Sequence, residues 1–199
     1  IVSNVDISLA SQIIKGSLQE TTDIEQPDND FINRQQRLVL DQVGFIDPCS
    51  IDEYLVNGGY EGLSQALSYP AAKVIQEVKD SGLKGRGGAY FPAAIKWETA
   101  NRIGKSPTYL IVNCEEGEPG IFKDRHIMEG IPHRLLEGAI IASYASGANK
   151  AYFYVNAEAD LSADRLQKAI DQAYQYGLLG KNILSSGYSL EIEMRRGAG

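Results

Sequence analysis

Residues 82–97 read Gly-Leu-Lys-Gly-Arg-Gly-Gly-Ala-Tyr-Phe-Pro-Ala-Ala-Ile-Lys-Trp, with four glycines in the first seven positions. Main chain stripped of side chains can lie directly against a flat ring or a phosphate. Lys84, Arg86 and Lys96 concentrate positive charge here, in an otherwise acidic chain. Phe91 and Trp97 offer apolar faces to a planar ligand. The spacing is neither GxGxxG nor a Walker A loop, and no predicted strand leads into it. The segment reads as a nucleotide or flavin loop, against the plainer reading of a flexible loop with solvated basic residues.

A second segment, 113–125, reads Asn-Cys-Glu-Glu-Gly-Glu-Pro-Gly-Ile-Phe-Lys-Asp-Arg. Three glutamates in four residues repel one another unless something uses them. Carboxylates accept hydrogen bonds from ribose hydroxyls, amides or ring N–H groups. They also bind hard cations such as Mg²⁺. The plain alternative is a solvated acidic turn that pairs with Lys123 and Arg125. His126 and His133 flank the segment and read as capping or surface residues. Nothing beside Cys114 would lower a thiol pKa, so it is not assigned as a nucleophile.

The elements that must hold these segments follow from periodicity. Thr108–Asn113 is a short apolar run of the kind found in strands buried on both faces. Lys150–Val155 is a second, and Ser189–Arg195 a third. Between the first two, Pro132 opens a helix that Gly147 closes, with Leu135, Leu136, Ala139 and Ile140 on one face. Another helix runs from about Ser162 to Tyr176, with Leu166, Ala169, Ile170, Ala173 and Tyr174 inward and Gly177 as its cap. This βαβαβ order predicts an α/β fold with a Rossmann-like parallel sheet and right-handed crossovers. Ligands of such sheets sit beyond the carboxyl ends of the strands, where residues 113–125 begin. Ahead of the sheet, Ser50 caps a short helix that ends at Gly58-Gly59. Leu63, Leu67, Val74 and Val78 mark two more, the second starting at Pro70. The expected organisation is an acidic linker or tail of a preceding domain over 1–35, a peripheral helical segment over 36–80, and a ligand-binding α/β domain over 81–199.

The 199 residues carry a net charge of −7, with 43% hydrophobic and 23% charged residues. These values suit a soluble globular protein and argue against a general nucleic-acid binder. No apolar run is long enough to cross a bilayer. With two cysteines, no CxxC pair and two histidines, a cysteine-based zinc or Fe–S site is not expected within these residues. Cys49 and Cys114 read as free thiols rather than a disulfide. The chain starts at Ile1 and is expected to be a piece of a longer polypeptide.

In order, GLKGRGGAYFPAAIKW, YLIVNCEEGEPGIFKDR, PHRLLEGAIIASYASGA, YGLLGKN and RRGAG resemble the flavin-binding 51-kDa-type subunit of complex I. The same family includes diaphorase subunits of NAD-linked hydrogenases and formate dehydrogenases. The likeness covers about residues 36–199. It implies a flavin domain that holds FMN and takes hydride from NADH stacked on the isoalloxazine. Electrons then pass singly to Fe–S clusters of a larger complex. By resemblance, Gly85, Arg86, Gly87 and Lys96 line the flavin site, and Asn113, Glu115 and Glu116 hydrogen-bond the flavin. Phe91 and Glu118 meet the NADH. Hydride transfer between stacked rings depends on distance and orientation, so no acid–base residue is assigned.

The resemblance also implies a thioredoxin-like [2Fe–2S] subunit or domain and further Fe–S subunits as partners. The expected location is cytoplasmic, reaching a membrane only through those partners. The family continues past RRGAG, so the flavin domain is expected to be truncated, with a [4Fe–4S] cluster only in the missing C-terminal part. This fragment alone is therefore expected to bind FMN weakly. Tyr90 stands where the family usually has Gly, Ala93-Ala94-Ile95 replace a Thr-Gly pattern, and an aromatic expected near Thr99 is absent. Those departures leave a second reading, a flavin-less paralogue acting as an assembly subunit. A third, a metal-dependent phosphotransferase, would rest on Glu115–Glu118.

Overall fold

The computed structural model describes residues 33–198. The expected tail therefore falls almost wholly outside the described residues. The chain divides after Leu38, and Val39–Gly199 forms one unit with no break near residue 80. Its elements are α1 (Ile51–Val56), α2 (Glu61–Leu67), α3 (Ala71–Asp80), α4 (Ala93–Ile103), β1 (Tyr109–Cys114), α5 (Lys123–Gly130), α6 (Pro132–Ser146), β2 (Lys150–Asn156), α7 (Asp160–Gln175), one 3-10 turn (Ile183–Ser185) and β3 (Glu191–Gly197). Among the described residues, no helix is long and apolar enough to cross a membrane.

The sheet is parallel with order β1-β2-β3, in the register Tyr109↔Lys150 and Lys150↔Glu191. The strand order never reverses, so right-handed crossovers put the connecting helices on one face. Ala151, Phe153 and Val155 of β2 face that layer and are fully buried. The opposite face stays open: Tyr109 and Ile111 of β1 are 53% and 62% exposed. This corrects the expectation of a strand buried on both faces. An apolar run records β propensity, not how many layers cover the sheet. The third strand begins two residues later than expected. Leu190 is spent on a two-way backbone pair with Gly180, 2.9 Å in each direction, before β3 joins β2.

Helix ends follow their capping chemistry. Ser50 Oγ accepts from the N–H of Glu53 at 3.2 Å and starts α1. Gly147, at φ +80°, closes α6, and Gly177, at φ +71°, follows α7. Tyr174 differs from expectation. Its ring lies beside Gly180 and its hydroxyl accepts from Ile192 N–H at 3.0 Å, so it braces β3 instead of facing the core.

The N-terminal helices are not peripheral. Ile51, Tyr54, Tyr60 and Leu63 belong to the same core cluster as Leu136, Ile140, Phe153 and Leu166. A buried polar network explains how two tyrosines can sit there. The Glu137 carboxylate accepts from Tyr54 Oη at 2.6 Å, and from the N–H groups of Tyr60 and Leu63 at 3.0 Å each. It thereby caps α2 from another helix. His133 is buried, not at the surface. Its Nδ1 lies 2.9 Å from Tyr60 Oη and its Nε2 2.9 Å from Gln172 Oε1. Gln172 Nε2 donates to the Cys49 carbonyl at 3.0 Å, which fixes the amide with its oxygen toward the ring. The neutral Nε2–H imidazole satisfies every partner: Nε2 donates to Gln172 and Nδ1 accepts from Tyr60.

Burial pushes the His133 pKa below its ordinary value of 6.5. Below pH 6.5 the unfolded chain takes up a proton that the folded chain refuses, so stability falls as pH drops through the depressed folded value. Urea unfolding at pH 7.5, 6.5 and 5.5 should show that loss in the wild type and a flatter profile in His133→Gln. Parallel profiles would refute the assignment.

Candidate functional site

The ends of β1 and β2 are laced together by polar side chains, and a tyrosine of β2 reaches the end of β3. Asn113 Oδ1 accepts from the Glu115 N–H at 3.0 Å, turning the chain as β1 ends. Glu115 Oε1 then accepts from Asn156 Nδ2, at the end of β2, at 2.8 Å. Asn156 Oδ1 accepts in turn from the Glu158 N–H at 2.8 Å. A Cβ on Gly117 would stand 2.4 Å from Glu115 Oε1, so a side chain there would push the Glu115 carboxylate out of its present place. At the end of β3, a Cβ on Gly197 would lie 1.9 Å from Tyr154 Oη. The Tyr154 ring therefore covers the Gly197 main chain. Sequence reasoning found Asn113 and Glu115 but missed Asn156, Tyr154 and Gly197. The signal that could have found them is the strand-end rule, applied to β2 and β3 as well as β1.

Glu116 turns the other way. It is buried, and its two oxygens accept from the N–H groups of Asp124 at 2.7 Å and Arg125 at 2.8 Å. This caps α5, where a negative charge also meets the positive end of the helix dipole. Lys123 Nζ stands 3.9 Å away. Burial and the nearby charges of Asp124 and Glu116 push the Cys114 thiol up to about 12, so it stays protonated. Glu118 is exposed on the turn that follows. The three glutamates thus part company, and among the described residues no group of three or more His, Cys, Asp or Glu could hold a metal ion. Cys49 and Cys114 are both free.

The glycine segment is a closed lobe feeding a helix. Lys84 pairs with Pro92, Gly85 N–H donates to the Phe91 carbonyl at 2.8 Å, and Ala93 N–H donates to the Leu83 carbonyl at 3.0 Å. The Gly85 amide is consumed in that closure. Gly87 and Gly88 have open space where a Cβ would be, so their main chain is bare to a ligand. Helix α4 starts immediately after Pro92, which converts the expected loop residues Lys96 and Trp97 into helical ones. Lys96 Nζ lies 5.5 Å from the centroid of the half-exposed Phe91 ring. Trp97, partly buried, packs against a second core cluster of Ala66, Val74, Ala94 and Ala145. Among the described residues, no hydrogen bond or ion pair joins the glycine lobe to the acidic loop. What ties α4 to the sheet layer is α6, through the Asn101 Nδ2 donation to the Ala145 carbonyl at 2.9 Å.

Bare glycine main chain, three cations and a polar strand-end rim suit a planar ligand that carries a phosphate. The sequence profile of the Nuo51 FMN-binding domain, from the 51-kDa complex I family, matches residues 78–199. The chain belongs to this family. It is 47% identical over 166 residues to the NADP-reducing hydrogenase subunit HndC of Solidesulfovibrio fructosivorans, covering 83% of this chain and 34% of that protein. It is 51% identical over 150 residues to an NADH-quinone oxidoreductase subunit of Aquifex aeolicus (strain VF5), covering 75% and 35%. The chain thus spans about a third of the length of the curated relatives it matches. A crystal structure of an NAD⁺-reducing [NiFe]-hydrogenase in the H₂-reduced state is similar at a TM-score of 0.61 and 26% identity. That match covers 98% of this chain and 32% of the other. The family's α/β fold is therefore present, with both motif-bearing loops inside the matched span.

Because Glu116 satisfies two amides from a buried position, Glu116→Ala should cost about 2–4 kcal/mol in urea unfolding. Glu116→Gln, which keeps one strong acceptor, should cost about half as much. Equal stability of all three proteins would show that α5 does not need this cap.

Proposed function

We propose that this domain binds FMN and NADH and carries hydride from NADH to the flavin as the entry module of a larger electron-transfer complex. The observation that carries the reading is the bare main chain at Gly87–Gly88, next to Arg86 and within the span that matches the FMN-binding family. Arg86 and Lys96 neutralise the phosphate of the cofactor, and Lys96 also stands over the Phe91 ring. Gly85 contributes by closing the lobe, and Gly87 by leaving room for the ligand. Asn113 and Glu115 offer hydrogen bonds to the flavin ring, with Glu115 held in place by Asn156. Glu116 acts one step removed, by fixing the loop and α5. Phe91 and Glu118, both exposed, meet the dinucleotide.

FMN, when bound, accepts two electrons together and releases them one at a time. The protein's own task is then orientation: ring against ring, with no side chain needed to move a proton. Relatives that are subunits of a hydrogenase and of an NADH-quinone oxidoreductase support a place among partner subunits. Those partners carry the Fe–S clusters that receive the electrons, a thioredoxin-like [2Fe–2S] subunit among them. The site of action in this reading is the cytoplasm, and a membrane is reached only through partner subunits.

Visible spectra of the protein, recorded without oxygen in the presence of excess FMN and after removal of the unbound fraction, test this directly. An oxidised-flavin band that bleaches on adding NADH is the expected result. Lys96→Ala should weaken FMN binding about tenfold or more, since a hydrogen bond to a charged group is worth roughly 1.5–3 kcal/mol. A colourless protein that takes up no added FMN would overturn the reading.

A further inference from the structure

Three residues of the glycine lobe have left-handed backbone: Gly82 at φ +67°, Gly88 at +104° and Tyr90 at +51°. Glycine adopts that conformation at no cost, whereas an L side chain crowds its own carbonyl there. The chain therefore places a large aromatic where a glycine would be easier. Tyr60 makes the same choice, at φ +63°, but its ring is buried and its hydroxyl meets His133. Tyr90 has no such return. It is 68% exposed, and among the described residues its phenol makes no hydrogen bond and its ring no aromatic contact. Backbone strain that the fold does not need is characteristic of functional positions.

We propose that Tyr90 is a positioning and specificity residue whose ring stacks on a flat heteroaromatic ring of the bound nucleotide. The inference rests on the FMN and NADH reading above and adds a residue to it. Tyr90 adjoins Phe91, which is half-exposed with the Lys96 ammonium 5.5 Å from its ring, and follows the bare main chain of Gly87–Gly88. A ligand lying on that main chain lies beside the Tyr90 ring. Aromatic faces supply such contacts with only two rotatable side-chain bonds to immobilise. The stacked ring belongs either to the flavin or to the dinucleotide, and separate titrations tell the two apart.

The test compares wild type, Tyr90→Phe, Tyr90→Leu and Tyr90→Gly, each followed by thermal unfolding and by two binding titrations. FMN affinity is read from flavin fluorescence, and NAD⁺ affinity from the absorbance change of the FMN-loaded protein. Tyr90→Gly should unfold at the same or a higher temperature, yet lose about tenfold in affinity for one ligand. Tyr90→Phe should bind within about twofold of wild type. Tyr90→Leu, which keeps the bulk and the strained φ, should lose affinity as the glycine variant does. A loss confined to FMN assigns the ring to the flavin, and one confined to NAD⁺ assigns it to the dinucleotide. Unchanged affinities for both in Tyr90→Gly would overturn this inference alone. A wild type that takes up neither ligand would overturn the underlying reading and this inference with it.

Discussion

Parallel pairing without a reversal of strand order is the constraint from which the rest of the molecule follows. Three strands running the same way bring three carboxyl ends to one edge, and their connecting helices to one face. The first consequence is chemical: loops leaving β1, β2 and β3 must share space. Asn113, Glu115, Asn156 and Gly197, scattered over 85 positions in sequence, meet there because of it. The second is mechanical. A single helical layer must supply the whole covered face of the sheet, and α6 occupies its centre, touching α2 to α5, α7, β1 and β2.

That central position explains why polar groups of α6 are engaged by its neighbours. His133 and Glu137, one turn apart, reach toward α7 and α2 respectively. Each does for a neighbouring segment what that segment cannot do for itself. Helix α2 begins at a left-handed Tyr60 with no side-chain cap of its own, and Glu137 provides the acceptor. Helix α5 likewise has no side-chain cap at Phe122, and Glu116 reaches in from the preceding loop. In both cases a carboxylate withdrawn from water, fully for Glu116 and partly for Glu137, is repaid by N–H donors, the condition under which burying it is tolerable.

Much of this was legible in the sequence, for reasons that can be named. Strands and helices of the βαβαβ unit announce themselves through periodicity, and Pro132, Gly147 and Gly177 mark their ends by backbone chemistry that is local. The strand-end loop was also readable, since its glutamates stand out by type and spacing. What was hidden depended on long-range partners. Nothing near Glu116 in sequence says that it turns inward, and nothing near Asn156 says that it holds a glutamate 41 residues away. His133 looked like a surface residue because its partners, Tyr60 and Gln172, lie 73 and 39 residues off. Likewise, the burial of Tyr54 and Tyr60 required Glu137 and His133 to be in place, so helices that looked peripheral proved part of the core.

The distribution of charge completes the logic of the site. The chain as a whole is acidic, at −7, which repels anions at long range. A phosphate-bearing ligand must therefore be drawn by something local, within about a Debye length, roughly 8–10 Å at ordinary ionic strength. Lys84, Arg86 and Lys96 lie within thirteen residues on one lobe, and the same lobe exposes the main chain of Gly87 and Gly88. The acidic side chains near the site are treated in two different ways. Glu115 is tied to Asn156, and the buried Glu116 caps α5 with Lys123 nearby, whereas Glu118 stays exposed. Committing carboxylates to amides fixes where their charge sits, and in an acidic chain that leaves the cations of the glycine segment as the local positive spot.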